Sequence, residues 1–491
     1  MTLLDKALPL ALALLLAGPA QAVHDQITLG MVLEPPILDP TASAAAAIDE
    51  VVYANLFEGL TRIGPDGSVQ PGLAESWQAQ DGGRSYVFHL RPGVTFQDGS
   101  AFDAQDVIFS LDRARAPDST NAQKALFQGI ETVQAIDPLT VRIALKSPDG
   151  SLPFKLAWGD AVMVDQANIA QIATRPIGTG PFKFGAWKQG DHIRLDAWDG
   201  YWGAKPALRS ATFRFIPDPT AAFAAMMAGD LDAFPIYPAP ETLAQFQADP
   251  RFKVLVGTTE GETILAMNHK TPALADPRIR AAIAHAINRQ DIIDGAMFGY
   301  GTPIGTHFAP HNPDYVDLTA LSAYDPEQSR QLLAQAGNPE LTLRLALPPP
   351  PYARRGGEII AAELAAVGIK TRITNLEWAQ WLEQVYKNAD YDLTVISHVE
   401  PMDIGIYARP GYYFNYRNPA FDQIMADLDA TTDPAHRSAL LKQAQTLLAQ
   451  DYANVFLFQL AKTGVAKTQI QGLWENAPMP ANDLSAVHWT D

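Results

Sequence analysis

Cysteine is absent from all 491 residues, which excludes a disulfide framework and every thiolate-held metal or redox centre. Basic residues are outnumbered, 36 Lys and Arg against 54 Asp and Glu, and a net charge of −18 disfavours nucleic acid and anionic lipid as partners. No internal repeat, low-complexity tract or long flexible linker interrupts Val23 to Asp491, and the proline run Pro348 to Pro351 is too short to separate domains. Catalytic signatures that are readable locally are missing too: there is no G-x-S-x-G elbow, no Walker loop and no H-E-x-x-H. A carboxylate-based hydrolase survives as an alternative only because its acids need no local motif.

What is present begins with an export signal. Lys6 precedes an apolar run from Ala7 to Ala17, followed by Gly18-Pro19 and the small-x-small triplet Ala20-Gln21-Ala22, so cleavage is expected after Ala22. The run is shorter than the roughly 20 apolar residues that span a bilayer, and no stable membrane insertion is expected. Pro19 stands where a lipoprotein signal carries its acylated cysteine, so the mature chain is expected to be free of lipid. Without disulfides its stability must come from packed cores, and 47% hydrophobic residues at this length are enough for two or three.

The densest structural signal runs from Ser85 to Arg113. Tyr86, Phe88 and Leu90 alternate with Ser85, Val87 and His89, the period of a half-buried strand, and Arg91-Pro92-Gly93 ends it with a turn. Past the Asp98-Gly99 turn, Asp103 is placed to cap a helix from Ala104, with Asp106 three residues on. Elsewhere the pattern predicts a first strand over Ile27 to Leu33, hairpin strands over Phe182 to Trp187, Ile193 to Trp198 and Ala211 to Phe215, and a strand over Gly261 to His269. Gly178 and Gly180 form no phosphate loop, because Pro181 follows and a third glycine is lacking. Asp276-Pro277 gives an N-cap and N1 proline to a helix burying Ile279, Ile283, Ala286 and Ile287.

From residue 341 to 397 strands and helices alternate: strand Leu341 to Leu347, helix about Arg354 to Val367, strand Ile369 to Ile373, helix Trp378 to Lys387, strand Leu393 to Ser397. This is a βαβαβ unit with a parallel sheet, and ligands in such sheets lie beyond the carboxyl ends of the strands. The loops so selected are Pro348 to Arg355, with Tyr352, Arg354 and Arg355 suited to a carboxylate, and His398 to Asp403, with His398, Glu400 and Asp403. Acid in one and base in the other suits a zwitterion; the same charges also read as solvated, or as an Arg354–Asp403 pair. Among nearby aromatics Tyr407 and Tyr412 sit in a Gly- and Pro-rich stretch and suit a pocket wall, whereas a Trp378 and Trp381 pair at i,i+3 suits core packing more than a pocket. His307 and His311 are separated by Pro310, so no helical metal pair forms, and His398 is a lone ligand; no protein-held metal and no cofactor is expected.

The Ser85 to Arg113 block resembles the segment "tFhLR-gv-F-dG-pf-A-DV-fsl" of the family 5 solute-binding proteins of ABC importers. Pro176 to Phe182 is similar to that family's "P-GTGPF", Tyr201-Trp202-Gly203 to "YWgg", Gly229 to Asp232 to "sGeiD", and Asp325-Pro326 to Ala336-Gly337 to "yDpekAk-LL-eAG". The resemblance spans nearly the whole mature chain. It implies an α/β, two-lobe class II periplasmic binding protein with an extra subdomain inserted in the first lobe. Lobe I is then 23–60, 176–261 and 461–491, the insert 61–175, and lobe II 262–460. It further implies a monomeric periplasmic receptor that hands a peptide or small molecule to an inner-membrane ABC permease, and no enzyme. An arginine of the family's "Y-p-aRR" stretch, matched here by Arg354-Arg355, holds a peptide carboxylate, and an aspartate of "W-gd-gDPDnF" holds the amine. The second loop keeps Asp403, with Glu400 in reserve, but lacks the tryptophan and the DPD triplet. An opine, metal chelate or sugar derivative is the alternative ligand class.

Overall fold

The computed structural model describes residues 24–43, 45–400 and 402–490; the expected export signal lies outside them. One 11-stranded sheet runs through the molecule. At one end Gln26–Met31 lies parallel to Ser210–Phe215, which continues antiparallel into His192–Ala197 and Phe182–Lys188. At the other end Thr342–Leu347 lies between Lys370–Asn375 and Leu393–His398, parallel to both, as the βαβαβ pattern predicts. Apolar residues cover both faces of this far end, around Leu345, Val395 and Ile360 on one side and Ile396, Val385 and Phe456 on the other.

Two long antiparallel strands, Phe252–Met267 and Val455–Lys467, join the two ends. The first was expected only from Gly261. Its residues from 261 to 267 are all buried and end in the apolar run Ile264 to Met267, whereas 252 to 259 are mostly half-buried and carry no clear period.

A separate four-stranded antiparallel sheet holds Ala74–Gln80, Ser85–Leu90, Thr140–Leu145 and Ile130–Asp137 in that order, over its own core of Phe88, Val107, Leu111 and Phe127. Ser85–Leu90 is paired on both sides and buried on both faces except at His89, so its alternation does not mark a half-buried strand. The helix after it spans Ala104–Arg115 behind a full capping box: Gln105 N donates to Asp103 Oδ1 at 2.7 Å and Asp103 N to Asp106 Oδ2 at 2.9 Å.

The signature motifs meet in space. Gln97 donates to the carbonyls of Gly180 and Phe182 and accepts from Gly178 N, tying the Asp98-Gly99 turn to the GTGPF segment. Thr179 Oγ1, Tyr201 Oη and Trp202 Nε1 each donate to the Glu58 carboxylate at 2.9 Å. Burial lifts Glu58 from 4.5 to about 7, with the three donors opposing that rise. The folded state therefore keeps a proton that the unfolded chain loses, and stability falls as pH rises between those values. We expect Glu58→Gln to remove this contribution to the decline: chemical-denaturation midpoints measured between pH 4.5 and about 7 should fall less in the variant than in the wild type. Equal slopes would contradict it.

Candidate functional site

The joining strands change register between Thr258 and Glu262, where Thr259 Oγ1 donates to the Leu460 carbonyl and Gly261 N to Thr259 Oγ1, both at 2.9 Å. A Cβ on Gly261 would stand 2.8 Å from the Leu460 side chain, so a larger residue here would push Leu460 aside. The break turns Glu260 and Glu262 inward, and both are buried, at 7% and 3% exposure. Opposite them lie the loop after Gly301–Pro303, carrying His307 and His311, and the end of Leu393–His398 with the 3-10 helix Asp403–Ala408.

These elements bring three imidazoles and three carboxylates together. His307 Nε2 lies 2.8 Å from Asp403 Oδ1, and His398 Nδ1 lies 3.3 Å from Asp403 Oδ2. His311 Nε2 is 2.6 Å from Glu260 Oε1, with its other nitrogen 2.7 Å from Thr258 Oγ1. Burial alone would raise the Asp403 carboxyl, but the two imidazoles more than offset it and hold the group below its ordinary range. Glu262 moves the other way, driven up by burial and then by the charges of Asp403 and Glu260. Its Oε2 is buried and meets no hydrogen-bond partner.

Residues 68–419 match the model of the bacterial extracellular solute-binding proteins, family 5. The chain belongs to that family. The glutathione-binding protein GsiB of Pectobacterium atrosepticum is 30% identical over 91% of this chain and 90% of its own. Among solved structures, HbpA2 from Haemophilus parasuis superposes with a TM-score of 0.87 at 22% identity, covering 95% of this chain and all of the other. AgaA from A. tumefaciens R10, in complex with agropinic acid, gives 0.71 at 25% identity, covering 95% and 99%. This family 5 chain thus has the class II periplasmic binding-protein fold and is a solute-binding component of an ABC importer, with no enzymatic role. Among the described residues no helix is long and apolar enough to cross a membrane.

Within this family 5 site the residues read from sequence fall into three groups. Asp403 and His398 join the cluster, but both Asp403 oxygens are occupied by imidazoles and no Arg354–Asp403 pair forms. Arg354 instead pairs with Glu377 at 3.0 Å. The helix carrying Arg354 begins three residues earlier than expected, at Pro351, so Tyr352, Arg354 and Arg355 stand on its first turns. Tyr352 Oη accepts from Ser397 N at 3.3 Å and so joins the two strand-end loops. Arg355 is exposed and lies over the Phe298 ring, and Glu400 is exposed and accepts from Val399 N.

Tyr407 is not a pocket wall: it lies within the 3-10 helix at 2% exposure, accepting from Asn454 Nδ2 at 2.9 Å. Tyr412 is half-buried beneath Arg409. Trp378 is 44% exposed, packed edge-on against the buried Trp381, and the expected helix after it changes at Leu382 to a π-helix ending at Lys387. That wider turn stacks Trp381 on Tyr386, five residues on.

Glu260, Glu262, His307 and His311 escaped notice as a group. The signal was Glu260 and Glu262 two apart beside a wholly apolar run, an odd place for carboxylates in a buried strand. We expect Glu262→Gln to stabilise the protein by about 1 to 3 kcal/mol near neutral pH, since burial and the nearby Asp403 and Glu260 charges disfavour the ionised carboxylate and folding must supply its proton. Asp403→Asn should destabilise it by about 3 kcal/mol through loss of a buried ionic pair. Thermal midpoints check both; shifts of the same sign would contradict the charge assignment.

Proposed function

We propose that the protein captures a peptide or peptide-like small molecule at the junction of its two lobes and delivers it to an inner-membrane ABC permease. It acts as a monomer in the periplasm, after cleavage following Ala22 and without a lipid anchor. The lobes are 23–60, 176–261 and 461–491 on one side and 262–460 on the other, with 61–175 inserted in the first, and they close about the two joining strands.

The observation that carries this reading is where buried polar atoms lack partners. Among the described residues ten buried side-chain atoms lack a hydrogen bond, and five of them, Glu262 Oε2, Thr263 Oγ1, Ser397 Oγ, Gln459 Oε1 and Arg354 Nε, belong to these elements. They cluster at the carboxyl end of the second lobe's strands and at the register break, where a ligand would satisfy them. Arg354 stands near Lys370–Asn375, three strands from Phe252–Met267 in the sheet order, about 14 Å at the usual strand spacing. An acid at one end and a guanidinium at the other suit a ligand with separated amine and carboxylate groups. The ligand carboxylate takes Arg354, displacing Glu377, with Arg355 and Tyr352 beside it. The amine takes Glu262, with Glu400 and Asp403 near. Tyr412, Trp378 and His398 complete the surroundings. Glutathione, bound by the relative GsiB, has this charge layout.

The test is native mass spectrometry of the purified protein with glutathione, di- and tripeptides and opines, followed by calorimetry on variants. We expect an unmodified ligand to be retained, and Arg354→Ala to weaken it by about 2 to 5 kcal/mol. Unchanged affinity in both Arg354→Ala and Arg355→Ala would sink the carboxylate assignment.

A further inference from the structure

We propose that His307, His398 and Asp403 form a site for a divalent transition-metal ion of the zinc type. One nitrogen of each imidazole and one Asp403 oxygen all lie within 4.8 Å of one another. Two imidazoles and a carboxylate are a donor set that zinc and its neighbours take readily. With metal–ligand bonds of about 2.0 to 2.1 Å, neighbouring ligand atoms sit roughly 3.3 Å apart in a tetrahedral site. The contacts of 2.8 and 3.3 Å between the imidazoles and Asp403 are thus near that spacing, and an ion needs small side-chain shifts to replace the shared protons.

Three further features support an ion here. Each ring is oriented through its other nitrogen by a tyrosine hydroxyl: Tyr413 Oη lies 3.0 Å from His398 Nε2 and Tyr407 Oη 3.4 Å from His307 Nδ1. Metal-binding histidines need such outer partners. The carboxyls also lack cationic side chains beside them: Glu260, Glu262 and Asp403 share this junction and, among the described residues, no Lys or Arg pairs with any of them. Finally, the unpartnered Oε2 of Glu262 belongs to a side chain that lines the same enclosed gap as His307 and Asp403. His307 and Asp403 are 96 residues apart in the chain, which hid the set from any spacing rule.

An ion here ties the His307 loop, the end of Leu393–His398 and the Asp403 helix to one point on the second lobe. The site rests on the geometry of His307, His398 and Asp403 and not on the peptide reading, which places Asp403 and His398 beside the ligand. Retention of peptide without metal would remove only this inference, and metal without peptide only the other.

The test uses tag-free mature protein, stripped with chelator and dialysed against Zn2+, with bound metal counted by mass spectrometry and the site probed by Co2+ absorption. We expect one Zn2+ per chain, a visible Co2+ spectrum of nitrogen and oxygen ligation, and at least about tenfold weaker binding in His307→Gln and Asp403→Asn. Anomalous scattering at the zinc edge from wild-type crystals locates the ion without any variant and should peak between His307 and His398. Absence of stoichiometric Zn2+, unchanged binding in folded variants, or an anomalous peak elsewhere would overturn the site.

Discussion

The structure depends on the antiparallel pairing of Phe252–Met267 with Val455–Lys467. The hydrogen bonds of this ladder hold the first lobe through Val465 and Ala466, which pair with Ala233–Phe234, and the second through Glu262 to Met267, which pair with Leu393–His398. A continuous ladder is stiff along its length and twists about it. The ladder breaks register twice, between Thr258 and Glu262 and between Thr263 and Ile264, and relative motion of the lobes is expected to concentrate there.

The first break is also why charge can be buried there. A regular ladder would alternate Glu260 and Glu262 with their neighbours across one face of the sheet, and the apolar core around Phe456 and Tyr407 would meet uncompensated carboxylates. At the bulge Glu260 finds His311, while Glu262, in register with His398 on the next strand, keeps Oε2 without a partner. A buried polar atom left open in this way is costly unless something else completes it, and a solute-binding protein supplies its completion from outside. The same reasoning applies across the sheet to Arg354 Nε and Ser397 Oγ.

Local chemistry was legible in the sequence wherever one residue type has one use. Gly93 and Gly99 have φ of 76° and 94°, as their turns require, and Asp103, Asp276 and Asp325 each cap the helix that follows. The parallel βαβαβ unit and the loops at its strand ends followed from periodicity, and Tyr352 does meet Ser397 across them. What stayed hidden depends on partners far apart in the chain. The half-exposed stretch before Gly261 gains its strand geometry from pairing with 461 to 467, not from an apolar period of its own. Tyr407 looked like a loop aromatic because its glycine- and proline-rich setting says nothing of Asn454, which fixes it in the core. The cluster as a whole was hidden for the same reason: Glu260, His307 and Asp403 are far apart in the chain, and only the unusual placing of Glu260 and Glu262 hinted at it.

A crystal structure of the protein with its retained ligand tests most directly whether the junction is where solute is held. Ligand density is predicted beyond the carboxyl ends of Thr342–Leu347 and Leu393–His398, with Arg354 and Glu262 each in hydrogen-bond contact and no change in the pairing of either long strand outside the two register breaks between Thr258 and Ile264. Density confined to either lobe's outer surface, or a ligand that leaves both Arg354 and Glu262 untouched, would contradict it.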